Sequence, residues 1–115
     1  MKFDFEKTKI YVRPGVTDLR KGTAGLLAVI ETEMKQNALT GSVFMFCNRN
    51  KKILKMIFWD RTGFWSAQKK LERNTWPWPQ TEKEAEEIDS SQVEMLLRGI
   101  NFWQAHEEIK FSRLF

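Results

Sequence analysis

Residues 42–71 read SVFMFCNRNKKILKMIFWDRTGFWSAQKKL. Three runs within this stretch, Ser42–Asn48, Lys52–Asp60 and Phe64–Leu71, are rich in residues that favour strands. Between them stand Arg49-Asn50-Lys51 and Arg61-Thr62-Gly63, short polar connections holding the Asn or Gly that hairpin turns use. The expectation is an antiparallel meander. Its central run puts Leu54, Met56 and Phe58 on one face and Ile53, Lys55, Ile57 and Trp59 on the other. Both faces are largely apolar, so this strand belongs mid-sheet, beneath a helix on at least one side. The run Phe64–Leu71 also admits a partly helical reading.

Upstream, residues 9–13 alternate polar and apolar and read as a short strand ended by Pro14-Gly15. Thr17 or Asp18 then caps a helix running to about residue 36, with Leu19, Leu26, Leu27, Val29, Ile30 and Met34 as its apolar stripe. Gly22 and Gly25 weaken its early turns and mark the close approach of another backbone or a ligand. Downstream, Trp76-Pro77-Trp78-Pro79 is an extended aromatic segment that packs on the sheet or faces outward, because two prolines exclude a helix interior or a central strand. Residues 81–89 read as an acidic loop. Ser90 or Ser91 caps a last helix over 92–98, which Gly99 stops. The fold class is therefore α+β: an antiparallel meander of three or more strands against one main helix, with a second short C-terminal helix. The 115 residues make a single domain, with 102–115 an apolar tail that docks on this chain or on another.

The composition, 42% hydrophobic and 30% charged, is that of a globular chain with a real core. Cys47 is the only cysteine and His106 the only histidine, which leaves no disulfide, no thiolate cage and no multi-histidine zinc site. No apolar run approaches the roughly 20 residues of a membrane span. The first residues, with Asp4 and Glu6 and no apolar core, are not those of a secretory signal, and a cytoplasmic location is expected. Charge is unevenly spread. Residues 1–75 carry 15 Lys and Arg against 7 Asp and Glu, a net of +8, whereas residues 76–115 carry 4 against 8, a net of −4. A basic body with an acidic segment elsewhere fits a protein that meets a polyanion.

One order of motifs is recognisable. Gly15-Val16-Thr17-Asp18-Leu19-Arg20-Lys21-Gly22 followed by Gly25-Leu26 resembles the opening of a family of bacterial transposon proteins, the second-open-reading-frame (TnpB-type) products of insertion-sequence family 66. The resemblance continues through Phe44, Phe46, Arg49, Lys55, Trp59-Asp60, Gly63, Lys70-Leu71-Glu72-Arg73, Trp78-Pro79, Gln92, Leu96-Leu97 and Gly99-Ile100-Asn101, spanning residues 10–101. The chain departs from the family pattern at Asn74-Thr75, where an Arg-aromatic pair is usual, and at Asn50 or Lys51, where an Asp is usual. The resemblance implies an accessory protein that helps transposition of the element encoding it, beside a separate transposase. It implies no defined reaction.

The residues themselves argue against catalysis. Strand transfer needs carboxylates that hold two metal ions. Asp18 has a use as a helix cap or as the partner of Arg20, Asp60 as a turn residue, and Glu72 as a neutraliser of Lys70 and Arg73. Cys47 reads as a buried hydrophobe and His106 as a solvated tail residue. No catalytic residue, metal site, cofactor or small-molecule substrate is expected. Binding is the better case. Arg20 and Lys21, then Arg49, Lys51 and Lys52, then Lys69, Lys70 and Arg73 form three basic clusters able to contact phosphates without reading sequence. Trp76 and Trp78 are core residues or platforms for an exposed base, while Trp59 and Trp65 read as core. Phe102, Trp103 and Phe111 are candidate contacts for a protein partner. The expected function is non-catalytic: binding transposon-end DNA, the transposase of the same element, or both. The alternative is an adaptor or homo-oligomeric scaffold without DNA contact, for which a homodimer is the simplest arrangement.

Overall fold

The structure, a computed structural model, describes residues 6–103. The three runs of the 42–71 stretch are indeed strands: β2 (Val43–Cys47), β3 (Ile53–Asp60) and β4 (Gly63–Lys70). β2 pairs antiparallel with β3 through Phe44↔Ile57, and β3 pairs antiparallel with β4 through Asp60↔Gly63 to Ile53↔Lys70. The whole of β4 is extended, so its partly helical reading falls away. Both turns place their positive φ on an unexpected residue. Lys51 (φ 60°) rather than Asn50 takes it in the first, and Arg61 (φ 51°) rather than Gly63 in the second.

The sheet extends beyond the meander. β1 (Ile10–Val12) lies parallel to β2, and β5 (Glu86–Ile88) lies antiparallel to β1, giving a five-stranded mixed sheet in the order β4-β3-β2-β1-β5. β5 corrects the expectation of a loop over 81–89. Two of its three residues, Glu86 and Glu87, are of a type depleted in strands. Ile88 is buried opposite Ile10, and the ladder to β1 supplies what propensity does not.

The expected helix over 18–36 is shorter and in two parts. A 3₁₀ turn (Leu19–Lys21) precedes α1 (Gly22–Thr32), and the two are divided at Gly22, whose φ of 71° ordinary side chains resist. Its end is closed by Glu33 and Met34, whose N–H groups both donate to the Val29 carbonyl, before Lys35 turns left-handed. α2 (Ser90–Leu97) is capped by Asp89, not by either serine. Asp89 Oδ1 accepts from Gln92 N–H, and Gln92 Oε1 accepts from Asp89 N–H.

Each face of the sheet is covered. On one, Leu26, Val29 and Ile30 of α1, with Met34 and Ala38, pack on Phe44, Phe46 and Ile57. On the other, α2 and the Trp-Pro segment cover Val12, Met45, Cys47, Leu54 and Phe58. β2 lies between these layers with all five of its residues buried.

Trp76 and Trp78 belong to the core, at 1% and 5% exposure, which removes them as base-stacking platforms. Their indole N–H groups donate to the carbonyls of Lys52 (3.0 Å) and Arg13 (2.8 Å), so burial leaves no unpaired donor. Trp59 is half-buried. Trp65 reverses the expectation of a core residue: it is 50% exposed on the edge strand. Of the expected apolar tail over 102–115, Phe102 and Trp103 are among the described residues. Phe102 is buried with α2, and Trp103 donates its indole N–H to the Pro77 carbonyl (2.6 Å).

Candidate nucleic-acid interface

The turn between β2 and β3 is the centre of the basic end. Asn48 Oδ1 accepts from the N–H groups of Lys52 (3.0 Å) and Ile53 (2.9 Å), and Asn50 Oδ1 also accepts from Lys52 N–H (3.1 Å). These side chains satisfy the turn's own backbone and leave Arg49 exposed at its tip. The third cluster is joined to this turn through the sheet. Leu71 N–H donates to the Lys52 carbonyl, Trp76 N–H donates to the Lys51 carbonyl, and Lys52 Nζ donates to the Asn74 carbonyl at 2.6 Å.

The first cluster arrives from another direction. Thr17 N–H donates to the Cys47 carbonyl (2.8 Å), tying the segment before the 3₁₀ turn to the end of β2. Arg13 braces the same segment: its guanidinium donates to the Val16 carbonyl, to Thr17 Oγ1 and, at 3.0 Å, to Glu33. Asp18 then accepts from Arg20 three times, from the backbone N–H and from Nε and Nη2, at 2.9–3.0 Å. The Arg20 hydrogen bonds hold the Asp18 carboxyl down at about 2. They occupy one edge of the guanidinium and leave the other for a ligand.

Between these pieces runs an open groove of about 910 Å³ whose lining includes Asp18, Arg20, Asn48, Arg49, Asn50 and Gln68. Arg20 and Arg49, distant in sequence, thus share one groove. Gln68 and Asn48 were not among the expected contacts, and only the strand register brings Gln68 there. Lys55, paired with Gln68 across β3 and β4, stands on the same sheet face.

Alternation splits the remaining basic residues. Lys70 lies on the α1 face with Gln68, whereas Lys69 lies on the α2 face. There Lys69 Nζ donates to the Leu97 carbonyl (3.3 Å) and sits 5.8 Å from the centre of the Trp76 ring. Lys21 is exposed on the 3₁₀ turn and Arg73 beyond β4; Lys51 is half-buried in its turn. The three clusters therefore converge on one end of the sheet but present two faces.

The residues weighed for catalysis sit apart. Asp60, at the opposite end of β3, accepts from the Trp65 indole N–H (3.0 Å). Glu72 is exposed beyond β4. Cys47 is fully buried, and burial pushes its thiol up to about 12, so no thiolate is available as a nucleophile. Among the described residues, no three His, Cys, Asp or Glu side chains gather where a metal ion could be held. His106 and Phe111 lie outside the described residues. No helix among those residues is long and apolar enough to cross a membrane.

Comparison with known proteins gives the motifs a family. The model of the IS66 Orf2 like protein family matches residues 8–107. The chain belongs to the IS66 Orf2-like family. Two proteins of Sinorhizobium fredii (strain NBRC 101917 / NGR234) are similar to it. Uncharacterized protein y4hO is 32% identical over 103 residues, covering 90% of this chain and 89% of the relative. Uncharacterized protein y4jC is 24% identical over 94 residues, covering 82% and 80%. No solved structure matches. Membership places this IS66 Orf2-like chain in insertion-sequence transposition. It also gives the glycine-rich opening a physical sense: Gly15 and Gly22 take positive φ, and a Cβ on Gly25 would stand 2.5 Å from Lys21 Cβ. In this chain the motif shapes the turn that presents Arg20.

Proposed function

We propose that this protein is a non-catalytic accessory factor of transposition that works by binding, holding DNA phosphates at its basic end and the transposase of the same element elsewhere. The observation that carries the reading is the convergence of Arg20, Arg49, Lys52 and Lys70 around one turn although they come from three separate segments. Sign is also separated across the molecule. β4, with Lys69 and Lys70, is one edge of the sheet, and β5, with Glu86 and Glu87, is the other. A molecule basic at one edge and acidic at the other suits an adaptor between a polyanion and a protein. The contacts offered are flexible cations and the side-chain amides of Asn50 and Gln68, so the binding is to backbone more than to bases.

Titration of duplex DNA by fluorescence anisotropy at several salt concentrations tests this reading. Affinity should fall steeply with salt, and replacing Arg49, Lys70 and Arg73 by Ala should flatten the log–log slope by about one unit per lost phosphate contact. A slope unchanged by those replacements, or no binding at low salt, defeats direct DNA contact. The adaptor role alone would then rest on co-purification with the transposase.

A further inference from the structure

The edge strand β4 carries the largest unexplained feature of the molecule. Trp65, an aromatic residue on a strand, is half in water, and six consecutive residues from Trp65 to Lys70 are exposed. Leu71 N–H donates to the carbonyl of Lys52, the residue before β3, so the odd-numbered residues of β4 turn their backbone groups inward. Phe64, Ser66, Gln68 and Lys70 therefore turn theirs outward, and among the described residues no strand receives them. Eight residues of straight, unpaired edge are a template for another strand.

We infer that β4 pairs antiparallel with β4 of a second copy of this chain, about a two-fold axis through Ala67, to form one continuous ten-stranded sheet. An axis normal to the sheet keeps like faces together, so residues that meet must lie on the same face. Centring on Ala67 sets Ala67 against Ala67, Ser66 against Gln68, Trp65 against Lys69, and Phe64 against Lys70. Ser66 with Gln68 and Phe64 with Lys70 are pairs whose outward N–H and C=O groups exchange. The stems of both lysines of each copy cover an aromatic ring of the other, while the Lys69 ammonium keeps its own Leu97 carbonyl and Trp76 ring. A parallel arrangement instead sets lysine against lysine, which is unfavourable. Centring one residue earlier sets Trp65 against Ala67 and Lys69 against Gly63, and the aromatic contacts are lost. Lysines ordinarily guard an edge against pairing. Here they stand together at one end, and the antiparallel two-fold carries them onto the aromatic end of the other copy. The side chains project above and below the sheet, so the groove holding Gln68 and Arg49 occurs twice on one face of the dimer.

Cross-linking of the full chain reads the register. Residues facing each other at a non-hydrogen-bonded antiparallel position stand about 4.5 Å apart at Cα, within disulfide range. Cys47 is buried and stays silent. Under mild oxidation the Ala67→Cys chain should become a covalent dimer, while the Arg61→Cys chain, altered at the far hairpin tip, should not. By sedimentation, the unaltered chain should run at twice its 13.7 kDa, and Gln68→Pro, which removes an outward N–H without touching the ladder to β3, should run as a monomer with unchanged circular dichroism. Ala67→Lys and Ala67→Glu should each be monomeric and should dimerise when mixed. A monomeric unaltered chain, an open-ended series of species from β4 meeting β5, or equal cross-linking at positions 61 and 67 overturns the inference. The test contains no DNA, so its failure leaves the proposed DNA contact standing.

Discussion

At the scale of single residues, the tryptophans divide by what their indole N–H can reach. Trp76 has a carbonyl within 3.0 Å inside the fold and is buried, and Trp78 has one at 2.8 Å. Trp65 finds Asp60 at the strand edge and stays half in water. Trp76→Ala should cost about 3–5 kcal/mol in urea unfolding, since it opens a large cavity and removes one of the two hydrogen bonds that the Lys52 carbonyl accepts. Trp65→Ala in the same assay, at concentrations where the chain is monomeric, should fall within the small range typical of surface changes. Cys47 gives a second prediction with a definite sign. Its thiol ionises near 9 when unfolded and near 12 when folded, so above pH 9 the unfolded chain loses a proton that the folded chain keeps. Stability should therefore fall as pH rises from about 9 to 12, and part of that fall should vanish in Cys47→Ala, measured by denaturation at each pH.

At the scale of elements, the junction between the 3₁₀ turn and α1 is governed by two glycines with different duties. Gly22 supplies a positive φ, whereas Gly25 leaves room for the Lys21 stem. Gly25→Ala would ordinarily gain about 1 kcal/mol of helix propensity. Here the added methyl meets Lys21 Cβ, an atom anchored to the backbone, and overpacking of this kind costs about 1–3 kcal/mol. The clash should win: Gly25→Ala should lower the melting temperature and displace the Arg20 Nε resonance from its Asp18-bonded position in NMR spectra.

At the scale of the whole molecule, the sheet order sets the basic and acidic edges apart by the width of five strands. Screening over roughly 10 Å at moderate salt makes those edges electrostatically independent. Glu87→Gln on β5 should leave the salt slope of DNA binding unchanged while Lys70→Ala flattens it, both read by anisotropy. A change of equal size in both would mean that overall net charge, and not a site, governs the affinity.

The meander was legible in residues 42–71 because alternation and turn chemistry are local properties of a strand pair, and both faces of β3 announced its central place. α2 and its Gly99 stop were legible for the same reason, as was the apolar burden of α1. The Arg20, Arg49 and Lys70 clusters were visible as charge. Their meeting was not, because it depends on Thr17 bonding to Cys47 and on the register of β4 against β3. β5 was hidden since Glu86-Glu87-Ile88 becomes a strand only where the free edge of β1 is offered to it. The tryptophans were hidden too. Burial of Trp76 or exposure of Trp65 follows from which carbonyl or partner strand lies alongside, and no local pattern encodes that. Sequence alone determined the elements and the sign of their charge; the tertiary structure decided which edges stayed open and which cations came to share a groove, because those are pairings between residues far apart in the chain.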